Sequence, residues 1–231
     1  MEKPIIDVII PAHNEQDSIG KVIADIPKEW VRNIIVVSNC STDNTKLNAE
    51  KAGAIALEEN RKGYGWACLK GMEYSFQSPS DIIVFLDGDY SDYPQELPLV
   101  VAPILEGKAD LVIGSRSLGK REKKSMTPQQ VFGNWLATFL IRIFYRHKFT
   151  DLGPFRAIKT EVLKDLKMDD KTYGWTIEMQ LKALNKKYTC TEVAVNYKQR
   201  IGVSKVSGTV KGTVLAGIKI IFAVFKYLWK K

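Results

Sequence analysis

Two carboxylates separated by one glycine are the residues whose types and spacing most directly suggest chemistry. Asp87 and Asp89 follow the apolar run 82–86, which is mostly β-branched or aromatic. Such a run is too short for a helix and is typical of a strand buried on both faces. Because alternate strand residues point the same way, the two carboxylates can converge, and Gly88 between them lets a ligand approach closely.

Convergent carboxylates at the end of a strand predict a bound cation, because two negative charges repel each other unless one lies between them. Hard oxygen ligands suit Mg²⁺ or Mn²⁺, which usually keep positions open for water or substrate phosphates. A surface turn rich in Asp and Gly is the competing interpretation, since such turns commonly follow strands. The spacing alone leaves both interpretations open.

The elements around this pair predict which edge of the fold carries it. Short apolar strands at 7–11, 33–37, 54–57, 82–86 and 110–114 alternate with helical segments, and Asn14 is a candidate helix cap. This alternation predicts an α/β fold with a mostly parallel, doubly wound sheet, in which ligands lie beyond the carboxyl ends of the strands. Polar loops at that one edge favour a site over unrelated turns: 11–15, 38–43, 61–65 and 87–92.

The second half of the chain changes in character after Gly114. A basic loop at 115–125 precedes a helix at 131–147, whose narrow polar stripe is surrounded by apolar and aromatic residues. Such a helix is either buried in a core or lies in a membrane surface, and the aromatic residues beside arginines favour partial membrane contact. Short helices at 159–166 and 175–184, the latter with Glu178 expected to face solvent, are followed by a strand at 191–197.

The C-terminal segment 209–231 predicts an amphipathic helix that lies in the membrane interface, because lysines interrupt its apolar surface. The excess of 34 basic over 26 acidic side chains favours polyanionic partners such as nucleic acid, phosphorylated small molecules or an anionic membrane. No basic helix or aromatic sheet motif of a nucleic-acid reader is present, which argues against that partner.

The cysteines and the absence of targeting patterns predict a cytoplasmic protein. Cys40, Cys68 and Cys190 are scattered and lack metal-ligand spacing, as expected for reduced thiols. The N-terminus leads directly into a strand pattern without a signal peptide, and no run approaches the roughly 20 apolar residues of a membrane span.

Eight short motifs, taken in order, resemble a known enzyme family. The first four resemble the nucleotide-sugar half of family 2 glycosyltransferases with the GT-A fold: 11–15 (PAHNE), 41–45 (STDNT), 63–65 (GYG) and 87–89 (DGD). The later four look like those of polyprenyl-phosphate sugar transferases, the dolichyl-phosphate class included: 114–116 (GSR), 151–156 (DLGPFR), 175–179 (WTIEM) and 200–205 (RIGVSK).

The resemblance implies an inverting hexosyl transfer from a UDP- or GDP-sugar to a lipid phosphate of the polyprenyl or dolichyl type, at the cytoplasmic face of the membrane. It divides the chain into a GT-A domain at 1–208, with a nucleotide-sugar half at 1–115 and an acceptor half at 116–208, and an amphipathic helix at 209–231. It also implies a dependence on Mg²⁺ or Mn²⁺.

The same resemblance assigns roles to individual residues. Asp87 and Asp89 would hold the metal, and Asp89, Arg116 and Arg200 would act in the transfer itself. The donor nucleotide and its phosphates would be bound by a larger set: Pro11, Ala12, Asn14, Glu15, Asn39, Lys62, Asp87, Ser204 and Lys205.

The chain departs from the family pattern at two sites. Ser38 and Asn39 stand where the family usually has one or two acids that contact the base or ribose, so the resemblance does not specify the nucleotide. Ser91 occupies the position of a further metal ligand in some relatives, and Asp92 could substitute for it. The C-terminal membrane spans of some relatives are absent from the sequence.

The acceptor determines whether the reaction needs a base. A phosphate acceptor is already anionic, whereas a hydroxyl acceptor needs a general base, for which Glu178 is the candidate. Transfer to a hydroxyl of a lipid or polysaccharide is therefore one alternative function. An inactive module that binds a nucleotide sugar or a membrane is the other, and the departure at Ser38 and Asn39 is its main support.

Overall fold

The computed structural model describes residues 3–202 and 210–228. Its centre is a seven-stranded sheet in the order β3-β2-β1-β4-β6-β5-β7. Strand β6 is antiparallel to both of its neighbours, and every other pairing is parallel. The strands are β1 (Ile6–Ala12), β2 (Asn33–Asn39), β3 (Ile55–Glu59), β4 (Ile82–Phe85), β5 (Leu111–Ser115), β6 (Arg156–Lys159) and β7 (Cys190–Ala194).

Helices cover both faces of this sheet. The longest ones, α5 and α8, lie on the same face, and the Thr127 side chain caps α5 by accepting a hydrogen bond from Gln130 N. Two short 3-10 turns, Lys28–Trp30 and Pro94–Glu96, complete the connections. The helices are α1 (Ile19–Asp25), α2 (Thr45–Lys51), α3 (Tyr64–Ser75), α4 (Leu97–Leu105), α5 (Pro128–Tyr145), α6 (Thr160–Leu166), α7 (Trp175–Asn185) and α8 (Val210–Leu228).

Two hydrophobic cores, one on each face, explain the continuous apolar runs of the central strands. Ile9, Ile35 and Ile83 pack with α3, α5 and α7, whereas the neighbouring Val8 and Val84 pack with α1 and α4. Each such side chain contributes about 1.5–3 kcal/mol when fully buried. The alternation fixes the register of β4 and therefore the position of the carboxylates that follow it.

The α/β fold with a mostly parallel sheet is confirmed, and the strands predicted from apolar runs are present. The sequence analysis missed β6, because its four residues, beginning with the charged Arg156, carry no strand periodicity. The prediction that Asn14 caps a helix is wrong: α1 begins only at Ile19, and Asn14 adopts a left-handed backbone with φ 55°.

The amphipathic character predicted for α5 is present, with much of its aromatic surface facing outward. Thr138 of the polar stripe is buried, and Asn134 bonds to the backbone at Thr150 and Leu152. Phe132 and Trp135 are 60% and 55% exposed, whereas Ala137 and Ile141 are buried in the core, so part of the apolar surface of the helix faces solvent. Within the described part of the chain, no helix is long and apolar enough to cross a membrane.

Candidate active site

A cavity of about 250 Å³ lies at the carboxyl ends of β1, β2 and β4. The sheet topology brings these strand ends together although they are far apart in the sequence. The cavity wall contains eight of the residues predicted to act on the donor: Pro11, Ala12, Glu15, Asn39, Lys62, Asp87, Asp89 and Arg200.

Asp87 and Asp89 form the floor of this cavity. The Tyr64 hydroxyl donates to Asp87 Oδ1 at 3.1 Å. Burial, reinforced by the negative charge of Asp89 and opposed by Arg200, raises the pKa of Asp87 to about 6. The Asp87 carboxyl therefore carries an electrostatic penalty that a bound cation would relieve.

Arg200 binds the second carboxylate from the opposite wall. Its Nη2 atom lies 2.8 Å from Asp89 Oδ2 and 3.5 Å from Glu15 Oε1. The backbone N and hydroxyl of Ser91 donate to Asp89 Oδ1 at 2.9 and 2.5 Å, which fixes the carboxylate. Ser91 therefore orients Asp89 from behind the cavity.

Asp92 lies deeper in the protein than the two other acids. It is 1% exposed and lines neither described cavity, and neither of its oxygens has a hydrogen-bond partner among the described residues. Burial raises its pKa well above the ordinary value, and the charges of Asp87 and Asp89 add to this. Burial therefore favours the neutral form of the Asp92 carboxyl and disfavours its use as a metal ligand.

Arg116 lies on the other side of the carboxylates, in an ion pair with Asp151. Its Nε and Nη2 atoms lie 2.8 and 2.6 Å from the two Asp151 oxygens. Burial alone would lower the Arg116 pKa, but the Asp151 carboxylate more than offsets this and raises it. The guanidinium is thus permanently charged and rigidly held.

A second, larger cavity of about 550 Å³ begins at these residues. It shares Tyr64, Asp87, Asp89, Tyr173 and Arg200 with the first cavity, so the two meet at the carboxylates. Its remaining wall is mainly apolar and comes largely from α5, α8 and the 152–154 turn: Phe132, Leu136, Leu152, Pro154, Ile220 and Ile221.

The two helices that line this larger cavity also carry exposed apolar side chains. On α5 the rings of Trp135 and Phe139 stack at 5.5 Å, and Phe139 is 45% exposed. On α8, Phe222 is 65% exposed, and Phe225 meets Phe144 of α5 edge to face. Together the two helices present exposed aromatic side chains, which we call the α5–α8 face: Phe132, Trp135, Phe139, Phe222 and Phe225.

Asn39 supports the wall of the smaller cavity. Its amide Nδ2 donates to the carbonyls of Glu59 and Arg61, and its Oδ1 accepts from Gly63 N at 2.8 Å. The amide therefore holds the 59–63 loop that carries Lys62. Asn39 stands where the family usually has an acid, and these hydrogen bonds give the amide at that position a structural role.

Some of the predicted site residues are not among the described wall residues of either cavity. The expectation that Glu178 faces solvent is wrong, since its carboxylate is fully buried and lines neither cavity. Because a general base must reach the acceptor, we withdraw Glu178 as a candidate base. Asn14 is absent from both walls, and Ser204 and Lys205 lie outside the described residues.

Sequence reasoning missed two residues that shape the site. Tyr173 lines both cavities from a loop that carries no motif. Arg156 ends the 151–156 motif, but the resemblance assigns it no role; it is fully buried and donates to the carbonyls of Leu152, Gly153 and Thr176. Burial lowers its pKa to about 10. Arg156 thus fixes the 152–154 turn that lines the larger cavity.

The donor set fits a divalent cation that also binds a substrate. Among the described residues no group of three or more His, Cys, Asp or Glu could enclose a metal ion. Asp87 and Asp89 could supply two hard carboxylate ligands where the cavities meet. A cation held by one or two carboxylates and completed by phosphates and water is the usual arrangement for Mg²⁺.

Comparison with known proteins identifies the family of this chain. The family described as "Glycosyl transferase family 2" matches residues 7–167. An uncharacterised glycosyltransferase of Mycobacterium tuberculosis is 32% identical over 214 residues, covering 91% of this chain and 94% of that protein. The undecaprenyl-phosphate mannosyltransferase of Micrococcus luteus is 25% identical over 225 residues, covering 91% and 90%.

Solved structures show the same fold. The glucosyl-3-phosphoglycerate synthase of Mycobacterium tuberculosis, crystallised with Mn²⁺, uridine diphosphate and phosphoglyceric acid, superposes with a TM-score of 0.78. The match covers 97% of this chain and 78% of that one at 21% identity, and at that identity it shows the fold alone. The sheet of this chain is that of the GT-A fold. Because the family model matches most of the chain and a relative is 32% identical over nearly its whole length, this chain belongs to glycosyl transferase family 2.

Proposed function

We propose that this protein transfers a hexose, with inversion, from a UDP- or GDP-sugar to the phosphate of a polyprenyl-type lipid. The observation that carries the proposal is the junction of the two cavities. A polar cavity built from the family's donor motifs meets a mainly apolar one at Asp87, Asp89 and Arg200, and the apolar one adjoins the α5–α8 face. The undecaprenyl-phosphate mannosyltransferase among the relatives supports the lipid acceptor.

Different residues would bind the donor and the acceptor. The smaller cavity would hold the nucleoside diphosphate, with Asp87 and Asp89 holding Mg²⁺ or Mn²⁺ on it; the bound Mn²⁺ and uridine diphosphate of the structural neighbour support this. The cation would supply positive charge to the departing diphosphate. Arg200 would add further charge there, and Arg116 would face the acceptor phosphate.

The transfer itself needs no strong base in this proposal. A phosphate oxygen of the lipid attacks the anomeric carbon, while the bond from that carbon to the diphosphate breaks and its electron pair leaves with the nucleotide. The attacking phosphate is already anionic. In the described wall of the larger cavity the only carboxylates are Asp87 and Asp89, which favours a phosphate over a hydroxyl acceptor.

The lipid acceptor places the protein at a membrane. We propose that the α5–α8 face lies on the cytoplasmic surface of an anionic membrane as a peripheral contact. Exposed aromatic residues insert at the headgroup level, and nearby exposed basic residues such as Arg142 and Lys148 attract anionic lipids.

The test is an acceptor and donor panel. The purified protein is incubated with Mn²⁺ or Mg²⁺, labelled UDP- and GDP-sugars, and either a polyprenyl phosphate or the matching polyprenol. A labelled glycolipid from the phosphate alone is expected. Product from the polyprenol alone would instead establish the hydroxyl alternative, and nucleotide binding without any product would favour an inactive module.

A further inference from the structure

A buried carboxylate links α8, a helix that lines the larger cavity, to backbone beside the smaller cavity. In the proposed function the smaller cavity is the donor cavity and the larger one is the acceptor cavity. Glu178 of α7 is fully buried, and its oxygens accept from Asp169 N at 3.0 Å and Asp170 N at 2.7 Å. The Tyr227 hydroxyl of α8 donates to Glu178 Oε1 at 2.6 Å, and Lys182 Nζ lies 2.8 Å from the same atom. The carboxylate therefore holds backbone from one side and α8 from the other.

The backbone held by Glu178 is the segment 169–174, and this segment packs against the start of α3. Lys171 O accepts a hydrogen bond from Trp66 N at 3.2 Å. A Cβ atom added at Gly63 or Gly65 would lie only 2.2 or 2.1 Å from a backbone oxygen of the segment, so the two backbones are in direct contact. Any displacement of the segment must therefore move the first turn of α3.

Both partners of this contact reach the donor cavity. Tyr173 of the segment lines the cavity, as do Gly63 and Tyr64 at the start of α3, and the Tyr64 hydroxyl donates to Asp87. On the opposite side of Glu178, α8 contributes Ile220 and Ile221 to the acceptor cavity. A chain of buried and partly buried contacts thus runs from α8 through Glu178 and the segment 169–174 to the start of α3, without passing through Asp87 or Asp89.

We infer that Glu178 is a positioning residue that couples the seating of α8 to donor binding through the segment 169–174. The inference rests on the proposed function, because it takes the smaller cavity to be the nucleotide site. An acceptor lipid or membrane that seats α8 firmly would tighten the wall of the donor cavity, and a loosened α8 would weaken donor binding. Donor and acceptor would therefore each raise the affinity for the other.

Two tyrosine variants separate this coupling from the general docking of α8. Tyr227→Phe removes the hydroxyl that donates to Glu178. Tyr145→Phe also removes a hydroxyl that holds α8, the one that donates to Val224 O at 2.8 Å, but Tyr145 does not contact Glu178. Both variants remove a tyrosine hydroxyl that bonds α8 to its surroundings, and only Tyr227→Phe removes the one that bonds to Glu178, so they form a matched pair.

Amide hydrogen exchange tests the connection without any ligand. In Tyr227→Phe, exchange at the amides of Asp169, Asp170 and Trp66 should accelerate about 5-fold or more, the lower end of usual coupling between sites. In Tyr145→Phe it should stay near the wild-type rate. Equal acceleration in both variants, or none at Trp66 in Tyr227→Phe, would overturn the coupling.

Nucleotide titration by calorimetry tests the consequence for the donor site. With Mn²⁺ present, Tyr227→Phe should weaken the Kd for UDP or GDP about 5-fold or more, and Tyr145→Phe should change it less than about 2-fold. A wild-type protein that binds neither nucleotide contradicts the proposed function. A wild-type protein that binds one of them with the same Kd as Tyr227→Phe contradicts the coupling alone.

Discussion

At the scale of single residues, three neighbouring acids at or beside the site differ in their burial and in their partners. Asp87, Asp89 and Asp92 lie within six positions of one another, and each is treated differently by its surroundings. Asp89 is paired with Arg200, Asp87 has a raised pKa, and Asp92 is buried without a partner among the described residues. The different surroundings of the three acids lead to different expectations for their substitution.

Asp89→Asn should lower kcat by a factor of about 100–1,000, because it removes charge that holds the cation and Arg200 against the leaving diphosphate. Asp92→Asn is the matched control. Since burial raises the pKa of Asp92 well above its ordinary value and the side chain lines neither cavity, that change should leave kcat within a few-fold of wild type. Steady-state transfer kinetics on both variants check this, and a similar loss in both would contradict the division of roles.

Mn²⁺ binding should depend on pH through Asp87. A carboxyl must lose its proton to bind a metal, and burial beside Asp89 raises the pKa of Asp87 to about 6. Below that pH, affinity for Mn²⁺ should fall by up to about tenfold per pH unit, and above it affinity should level off. Calorimetry at pH 5, 6 and 8 in buffers of different ionisation enthalpy should detect proton release at pH 5 and little at pH 8. Proton release that is independent of pH would contradict the assignment.

At the scale of elements, the central strands could be predicted because strands that are buried on both faces have continuous apolar sequences. The sheet edge that carries Asp87, Asp89 and the family's donor motifs followed from that pattern. Strand β6, only four residues long, has no such pattern. The burial of Glu178 could not be predicted from the sequence either. Its hydrogen bonds to residues 169, 170 and 227 form only when α7 packs against these other parts of the chain.

The start of α3 offers a test of backbone packing. Gly65→Ala would bring a Cβ atom to 2.1 Å from Asp170 O, so the helix or the 169–174 segment must shift. We expect a loss of about 1–3 kcal/mol in the free energy of unfolding and weaker nucleotide binding. Gly20→Ala in α1, where nothing lies within 4 Å of the added atom, should instead stabilise the protein by up to about 1 kcal/mol. Chemical denaturation and nucleotide titration on both variants make the comparison.

The aromatic surface of α5 should decide membrane contact. Replacing Trp135 and Phe139 by Ser should sharply reduce the fraction that sediments with anionic vesicles, because these exposed rings supply apolar area at the headgroup level. Leu99→Ser is the control, since Leu99 is 52% exposed on α4, which packs on the opposite core. Equal loss in both variants, or none in the double variant, would contradict a membrane role for the α5–α8 face.

At the scale of the whole molecule, charge and apolar surface should act together on catalysis. The chain carries a formal net charge of +8, which would attract it to an anionic surface, and in the proposed function the apolar cavity would then select the acceptor locally. The Debye length falls from about 30 Å at 0.01 M salt to about 3 Å at 1 M, so salt weakens the surface attraction more than contacts within the buried site.

Salt should therefore separate docking from chemistry. Transfer to a polyprenyl phosphate embedded in anionic vesicles should fall steeply between 0.05 and 0.5 M salt, since each basic residue near the surface contributes about 1 kcal/mol to attraction. Transfer to a short, water-soluble isoprenyl phosphate should fall much less, because Arg116 and Arg200 act inside the site, where screening is weaker. Initial rates for both acceptors across one salt series provide the measurement. A parallel fall for the two would mean that salt acts on the phosphate-binding arginines, and the anionic membrane would then have no part in presenting the acceptor.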